Sequence, residues 1–465
     1  MAAKLPDDLL RALAPALDSG ALLTSHADRV AYGYDNSRRS ALPDAVALPV
    51  RAEQVQAIVR ACRQHRVPVV ARGRGTNTTG ASVPIAGGVV VSFERMNRIL
   101  AIEPDDRLAV VEPGVTNGEL QRAARAHGFF WPPDPTSSEY CTVGGNLACN
   151  AGGPRAVKYG ACRDNTLGLV AVAGTGELLR TGSRTTKGAV GYDLTRFLIG
   201  SEGTLALVVE ATLKLVPLPE KVATLRAIYA DVPSAAAAVA RIMAQPVTPC
   251  ALEFMDTAAL ALAREADPSL PPSGALLMIE ADGSAATLRE AVTALSQAAR
   301  GDGLLALDAA DSEEHAQRLW AARKALSPAL RRLAPKKINE DVVVPVSRLP
   351  ALVDGLARIA AASGIPIVNF GHAGNGNVHV NLLYRPDDAA QHAAAPGALS
   401  DVFDLVIALG GTLSGEHGIG LDKRDFLPRA IDAATLATMR AIKGVFDPDG
   451  ILNPGKLLPV EGARD

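Results

Sequence analysis

The chain has 465 residues, 48% apolar and 4% aromatic, with 47 basic against 49 acidic side chains and a formal net charge of −2. That length accommodates more than one domain, and the near balance of charge argues against the broad basic face that nucleic acid requires. No run reaches the roughly 18 apolar residues that span a bilayer, Pro6, Asp7 and Asp8 stand where a signal peptide needs an apolar core, and the five cysteines contain no C-x-x-C pair, so a soluble protein with reduced thiols is expected.

Residues 52–66 are predicted as a helix, because Val55, Ile58, Val59 and Cys62 fall on one face. A strand at 67–71 runs into RGRGTNTTG (72–80). Strands follow at 88–93, 100–103 and 108–112, the last two flanking the turn Pro104-Asp105-Asp106. Thr116-x-x-Glu119 is a capping box that starts a helix, and Gly128 closes it. Residues 131–168 are dense in Gly, Pro, Ser and Asn and are expected as one long functional loop. Strands return at 167–173 and 205–216, and Pro217-Leu218-Pro219-Glu220 marks a domain boundary. Beyond it, strands at 223–229 and 275–280 alternate with Ala-rich helices at 234–244 and 285–299. A helix near 312–334 leads to KKINEDVVVP, and another helix lies at 347–362. A strand–turn–strand carries GHAGNGNVHVN (371–381), and 398–446 reads as helix, glycine-rich loop, helix. The mixture is α+β, without internal repeats.

RGRGTNTTG matches neither common phosphate motif. Gly73 and Gly75 open a G-x-G-x-x-G whose last position is Thr78, and Gly75-x4-Gly80 is followed by Ala81 and Ser82 instead of Lys and Ser/Thr. Its glycines still let a phosphate approach the backbone, and Thr76, Thr78, Thr79 and Ser82 offer hydroxyls; a tight surface turn is the bland alternative. PTSS (135–138), TVGGN (142–146), NAGG (150–153) and SEGT (201–204) add similar segments. Together they suit a long ligand with a pyrophosphate in its middle.

His372 and His379 are two of only 8 histidines and bracket a Gly-Asn-Gly turn. On a strand, His379 and Asn381 project to one side, and the turn at 373–377 can fold His372 back beside His379. Glu416, with His417 adjacent in SGEHGIG (414–420), is a candidate third ligand. Two imidazoles and a carboxylate form a common catalytic zinc arrangement, with ligand distances of about 2.0–2.2 Å; manganese or iron suit the same donors. The alternative is a hydrogen-bonded hairpin pair beside a solvated carboxylate.

In this order and spacing, RGRGTNTTG, PDPTSS, TVGGN, NAGG, KYG and GSEGTL resemble the FAD domain of the vanillyl-alcohol-oxidase/para-cresol-methylhydroxylase (PCMH) fold. GHAGNGNVHVN and SGEHGIG resemble its FAD-dependent D-2-hydroxyacid dehydrogenase branch, which includes D-lactate and D-2-hydroxyglutarate dehydrogenases and the flavin subunit of glycolate oxidase. The likeness runs from about residue 40 to 458. It implies a PCMH-type FAD-binding domain over 1–219, an α+β FAD-linked oxidase C-terminal domain binding substrate over 220–410, and a segment 411–465 completing the FAD domain and active site. It implies FAD contacts from Arg72, Gly73, Arg74, Gly75, Thr76, Asn77, Thr78, Gly80 and Ser82; from Pro135, Thr136, Ser137, Gly144, Gly145, Asn146, Ala151, Gly152 and Gly153; and from Tyr159, Gly160, Glu202, Gly203 and Asn453. Some members of the wider fold tether FAD through a histidine in or near the first loop; this loop has none, so non-covalent FAD is expected. The resemblance makes His372, His379 and Glu416 ligands of a divalent metal, zinc first. It gives Asn381 a part in holding substrate and makes His417 the base. Arg323, in WAARKALS (320–327), becomes the clamp on the substrate carboxylate, with Ser327 one turn on; a planar guanidinium suits bidentate carboxylate binding.

The reaction so implied is oxidation of a D-2-hydroxy acid to the 2-oxo acid. The metal lowers the hydroxyl pKa, neutral His417 takes the proton, and the Cα hydrogen leaves as hydride to flavin N5; removal of the Cα proton by His417 is the alternative route. In hydroxyglutarate dehydrogenases a lysine lies two residues before the aspartate that Asp341 matches. Here that position is Asn339, which favours D-lactate or another short D-2-hydroxy acid over a dicarboxylate. The missing Rossmann fingerprint argues against NAD, so the electrons are expected to go to a quinone, a cytochrome or an electron-transfer flavoprotein. A homodimer, a cytoplasmic location or a peripheral one at the inner face of the membrane, and no transmembrane segment complete the expectation. Two rivals are a glycolate-oxidase-like flavin subunit that works only with partner subunits, and an FAD- or metal-binding protein without turnover.

Overall fold

The computed structural model describes residues 5–265 and 267–460; within the helix Glu313–Leu333 the side chains of Ala322, Lys324, Ala325, Ser327 and Pro328 lie outside the described set. The chain divides into two compact units. The first comprises the residues up to Gly153, Gly160–Leu218 and the segment from Glu416; the second comprises Pro154–Tyr159 and Pro219–Gly415. One division between the units lies between Leu218 and Pro219, within the Pro-Leu-Pro-Glu stretch. The short stretch Pro154–Tyr159 folds with the second unit, where Lys158 and Tyr159 both bond the Asp282 carboxylate.

Among the described residues the first unit holds two larger sheets and a two-stranded pair, Phe129–Phe130 with Val216–Pro217. A four-stranded sheet runs in the order Leu22–Leu23, Ala45–Ala47, Val89–Ser92, Val69–Arg72, with the last three strands parallel. The helix Ala52–Gln64 buries Val55, Ile58, Val59 and Cys62 in one core with these strands, the face its periodicity marks. Ile451 and Leu452 join the same core. A five-stranded antiparallel sheet orders Ile99–Glu103, Leu108–Val111, Ala206–Lys214, Thr166–Ala173 and Leu178–Gly182. The capping box forms as expected: Thr116 and Glu119 bond reciprocally at the start of Asn117–Arg125. The stretch 131–168 is not one loop. It contains the helix Val143–Cys149, which Thr142 caps and which buries Val143 and Leu147, and the short turns Ala156–Tyr159 and Cys162–Asn165. Gly144 and Gly145 depress helix propensity, but burial of one face overrides it.

The second unit is built on a seven-stranded sheet ordered Leu304–Ala309, Lys221–Tyr229, Ala275–Gly283, Ala251–Met255, Ile367–His372, Asn377–Tyr384, Lys336–Val343. Every neighbouring pair in it is antiparallel. The helices Thr257–Ala263 and Glu313–Leu333 share a core with the sheet residues Met255, Leu276, Met278 and Phe370. Because side chains alternate along a strand, Glu253 and His372 stand on that same face. The helix expected from 398 begins earlier, as Ala389–Ala408, because Asp388 caps it by accepting the N–H groups of Ala390 and Gln391. Among the described residues no helix is long and apolar enough to cross a membrane.

Candidate active site

The strand Val69–Arg72 ends in the loop RGRGTNTTG. Arg72 turns inward, where Nη1 donates to the Tyr34 carbonyl at 2.7 Å and Nη2 to that of Ala31 at 3.2 Å; burial pulls its pKa down. Asn77 donates to the Asp35 carboxylate at 2.7 Å and accepts from Ser82 Oγ at 2.9 Å. The Asn36 N–H reaches the carbonyls of both Gly75 and Asn77 at 3.1 Å. The loop is therefore held through its carbonyls and side chains. The N–H groups of Arg74 through Thr79 donate to no acceptor among the described residues, and the Thr78 hydroxyl is buried without a partner. A half-buried run of leftover amide donors is the arrangement that takes up an anion, so the loop fits a pyrophosphate.

The other glycine-rich segments converge on it. A β-carbon at Gly73 would fall 2.4 Å from Thr142 Oγ1, and one at Gly144 would fall 2.6 Å from the Pro113 β-carbon. The Asp134 N–H donates to the Gly152 carbonyl at 3.0 Å, tying the start of the Pro135–Thr136–Ser137 stretch to the Ala151–Gly153 turn. The Glu202 N–H reaches the Ala148 carbonyl at 2.8 Å, which brings Gly203 in as well. Asn146 lies buried beside Asn117, whose amide donates to it at 3.2 Å.

Three residues expected to contact cofactor bond protein through their side chains. The Glu202 carboxylate accepts the N–H groups of Ile419 at 2.6 Å and Gly420 at 2.8 Å. The Asn453 amide donates to the carbonyls of Ala81 at 2.8 Å and Glu202 at 2.7 Å. The Tyr159 hydroxyl donates to Asp282 at 2.6 Å in the second unit, and Gly160 takes a positive φ of 77° just after it. Burial pushes the Glu202 carboxyl up to about 7, outweighing the two amides and the charges of Lys456 and Lys423. The segment after Glu416 is pinned on the same unit: the Leu421 N–H donates to the Thr79 carbonyl at 2.7 Å, and Thr79 Oγ1 donates to the His417 carbonyl at 3.4 Å.

In the second unit the Gly-Asn-Gly turn does fold the two histidines together. A short turn at Ala373–Asn375 and Gly376, with φ of 73°, reverses the chain. His372 Nε2 and His379 Nε2 stand 3.4 Å apart with the rings edge-on. His372 Nδ1 bonds Glu253 Oε1, directly opposite it in the sheet register. Arg323 Nε and Nη2 both donate to Glu253 Oε2, at 3.0 and 2.8 Å, and the guanidinium lies 4.6 Å from the centre of the Phe370 ring. Burial raises the Glu253 pKa, but its contacts with His372 and Arg323 outweigh that and hold it at about 2. One turn earlier on the helix, Trp320 Nε1 donates to Glu280 at 2.6 Å. Asn381 is fully buried; its amide donates to the carbonyls of Val368 at 3.0 Å and His379 at 3.1 Å, and its Oδ1 has no partner among the described residues. The side chain of Ser327 lies outside the described residues.

Glu416 follows directly on Gly415, whose N–H is held by Asp341 Oδ1 at 3.0 Å. His372, His379 and Glu416 each offer a ligand atom within 4.8 Å of the others. Two donors bound at about 2.0–2.1 Å to one tetrahedral ion stand about 3.3 Å apart, close to the separation of the two imidazole nitrogens. With the Nδ1 proton of His372 directed at Glu253, the lone pair of the neutral ring is on Nε2, the atom that faces His379. The donor set fits a divalent cation of the zinc or manganese kind. Neither Glu253 nor Asp341 was assigned to the site from sequence. Glu253 carried one usable signal, an acid inside the apolar run ALEFM, where a lone carboxylate needs a partner.

Residues 218–457 match the family described as FAD linked oxidases, C-terminal domain, and residues 43–182 match the FAD binding domain family. The glycolate oxidase subunit GlcD of Bacillus subtilis (strain 168) is 40% identical, over 95% of this chain and 94% of its own. The D-2-hydroxyglutarate dehydrogenase of Stutzerimonas stutzeri (strain A1501) is 35% identical, over 97% and 98%. The D-lactate dehydrogenase of Anaerostipes hadrus is 32% identical, over 93% and 92%. Among solved structures, p-cresol methylhydroxylase with bound substrate superposes with a TM-score of 0.81 at 16% identity, over 98% of each chain, a likeness of fold.

Proposed function

The chain belongs to the FAD-linked oxidases, and on that premise we propose that it oxidises a D-2-hydroxy acid, D-lactate first, to the 2-oxo acid. It is an FAD-linked oxidoreductase of the group that joins GlcD, D-lactate dehydrogenases and D-2-hydroxyglutarate dehydrogenases. The observation that carries the narrower reading is the convergence of His372, His379 and Glu416, with Arg323 held by the same Glu253 that bonds His372. A carboxylate-reading arginine and a set of ligands for a divalent cation that takes up oxygen donors suit a molecule that carries a hydroxyl beside a carboxylate.

When bound, FAD supplies the acceptor for the substrate's hydrogen and electron pair, and a divalent ion held by His372, His379 and Glu416 lowers the pKa of the hydroxyl. The residues of this chain do the rest. The loop amides of Arg74–Thr79 hold the FAD pyrophosphate without a covalent tether. Arg323 keeps Nη1 for the substrate carboxylate, since Nε and Nη2 are engaged by Glu253. Asn381 Oδ1 offers an acceptor to the bound molecule, and His417 takes the hydroxyl proton on its imidazole. The electrons leave to a quinone, a cytochrome or an electron-transfer flavoprotein.

A second reading is favoured by the 40% identity to a protein named as a subunit. In it the chain is the flavin subunit of a multi-subunit glycolate-oxidising complex. An anaerobic titration of the purified, flavin-loaded protein separates the readings. Stereospecific bleaching of the flavin band by D-lactate, absent with L-lactate and abolished by a strong chelator, supports the first. Bleaching by glycolate alone, with poor reoxidation by artificial acceptors, supports the second. A flavoprotein that no 2-hydroxy acid bleaches overturns both.

A further inference from the structure

Glu253 has no part in the chemistry just described, yet it touches two of its participants. It is 1% exposed, on an inner strand of the seven-stranded sheet. A lone carboxylate buried this deeply is strongly disfavoured unless paired. Glu253 is paired twice, and its two oxygens diverge: Oε1 meets the imidazole of His372, and Oε2 meets Nε and Nη2 of Arg323. The partners come from separate elements, the end of the strand Ile367–His372 and the helix Glu313–Leu333.

We propose that Glu253 is a positioning residue that sets the metal-ligand imidazole of His372 and the carboxylate-binding guanidinium of Arg323 in one fixed relation. This rests on the proposed metal and substrate roles of those two residues. Toward His372 the carboxylate accepts the Nδ1 proton, which fixes the tautomer and aims Nε2 at His379, 3.4 Å away. Toward Arg323 it takes the Nε and Nη2 side of the fork and leaves Nη1 for a ligand, while Phe370 supports the guanidinium plane. The contact with His372 is set by sheet register, since the two residues are direct partners across the strands. The helix then brings Arg323 to the second oxygen. One carboxylate therefore couples the position of the hydroxyl-polarising ion to that of the carboxylate clamp, the two groups a 2-hydroxy acid must meet at once.

The test compares Glu253→Gln with wild type and with Arg323→Gln, all flavin-loaded. Zinc(II) affinity is read by competition with a chelating dye, and flavin content by absorbance. Glu253→Gln is expected to weaken zinc binding by about 10- to 100-fold with flavin content unchanged, whereas Arg323→Gln leaves zinc affinity within about threefold of wild type. With zinc saturating, Glu253→Gln is also expected to raise the KM for D-lactate at least about tenfold, through the loosened arginine. If Glu253→Gln binds zinc as tightly as wild type, or keeps its KM at saturating zinc, the bridging role is overturned and Glu253 is a core ion pair. Should that variant fail to fold, Glu253→Asp keeps the charge but withdraws it by one methylene; unchanged zinc affinity in it overturns the proposal equally. A wild-type protein that takes up neither zinc nor manganese overturns the metal reading itself, and this inference with it.

Discussion

Asp341 accepts the N–H of Gly415 twice, at its main-chain carbonyl at 3.1 Å and at Oδ1 at 3.0 Å. The same Oδ1 accepts Ser414 Oγ at 3.0 Å. The strand Lys336–Val343 thus grips the turn one residue before Glu416. Asp341 is fully buried, so Asp341→Ala leaves the Ser414 hydroxyl without its acceptor and loosens the turn. The expected cost is about 1–3 kcal/mol of stability, with metal content falling and flavin content kept. Thermal unfolding and elemental analysis of one preparation check it; unchanged metal content would show that the turn does not govern Glu416.

Glu202 makes the stability of the first unit depend on pH. Its folded pKa is raised from an ordinary 4.5 to about 7, chiefly by burial. A raised acid binds more protons in the fold than in the unfolded chain, so its contribution is complete below about pH 4.5 and is lost as pH rises through about 7. Melting temperatures from pH 5 to 8 are expected to fall more steeply for the wild type than for Glu202→Gln, which has no proton to lose. Parallel curves would mean the carboxylate is already ionised at pH 5.

Gly73 tests the cradle. Its missing β-carbon would stand 2.4 Å from Thr142 Oγ1, the atom that caps Val143–Cys149 by accepting the Gly145 N–H at 3.2 Å. Gly73→Ala forces Thr142 aside and costs about 1 kcal/mol for the cap and about 1–3 kcal/mol for overpacking. FAD affinity is expected to fall at least about tenfold, since the shift begins inside the loop. Fluorescence titration of the apoprotein measures it, and an unchanged dissociation constant would place the cofactor elsewhere.

Asn339 bears on substrate choice. It lies directly across from Asn381 in the sheet, as Asp341 lies across from His379, so Asn339 and Asp341 share the face of those two residues. Asn339→Lys puts a cation on that face. A charge-assisted contact to a second carboxylate is worth about 1.5–3 kcal/mol. The ratio of kcat/KM for D-2-hydroxyglutarate over D-lactate is expected to rise about 10- to 100-fold. A ratio that stays put would remove Asn339 from specificity.

Local features were legible in the sequence. The buried face of Ala52–Gln64, the Thr116–Glu119 box and the reversal between His372 and His379 all follow from spacings of a few residues. What escaped depends on distance along the chain. Glu253 and His372 are 119 residues apart, and no periodicity links them; only the order of seven strands makes them neighbours. Val143–Cys149 escaped for the opposite reason, since Gly144 and Gly145 advertise a loop while burial of Val143 and Leu147 enforces a helix. Glu202 and Asn453 sit in glycine-rich segments of the kind that contacts ligand, but their side chains close on the chain itself.

The Val69 N–H donates to the Ile451 carbonyl at 2.8 Å, and the Asn453 N–H returns to the Val69 carbonyl at 2.8 Å. On the ribosome, the strand Val69–Arg72 therefore emerges hundreds of residues before the segment that finishes its edge. The second unit, which closes on itself by Gly415, can be fully translated while the first still shows an open strand and an unfilled core where Ile451 and Leu452 belong. Exposed edges of that kind invite pairing with other chains. Deleting the residues after 450 would thus remove a piece of the first unit's interior, and the shortened polypeptide is expected to aggregate during synthesis even though every cradle and site residue before it is intact.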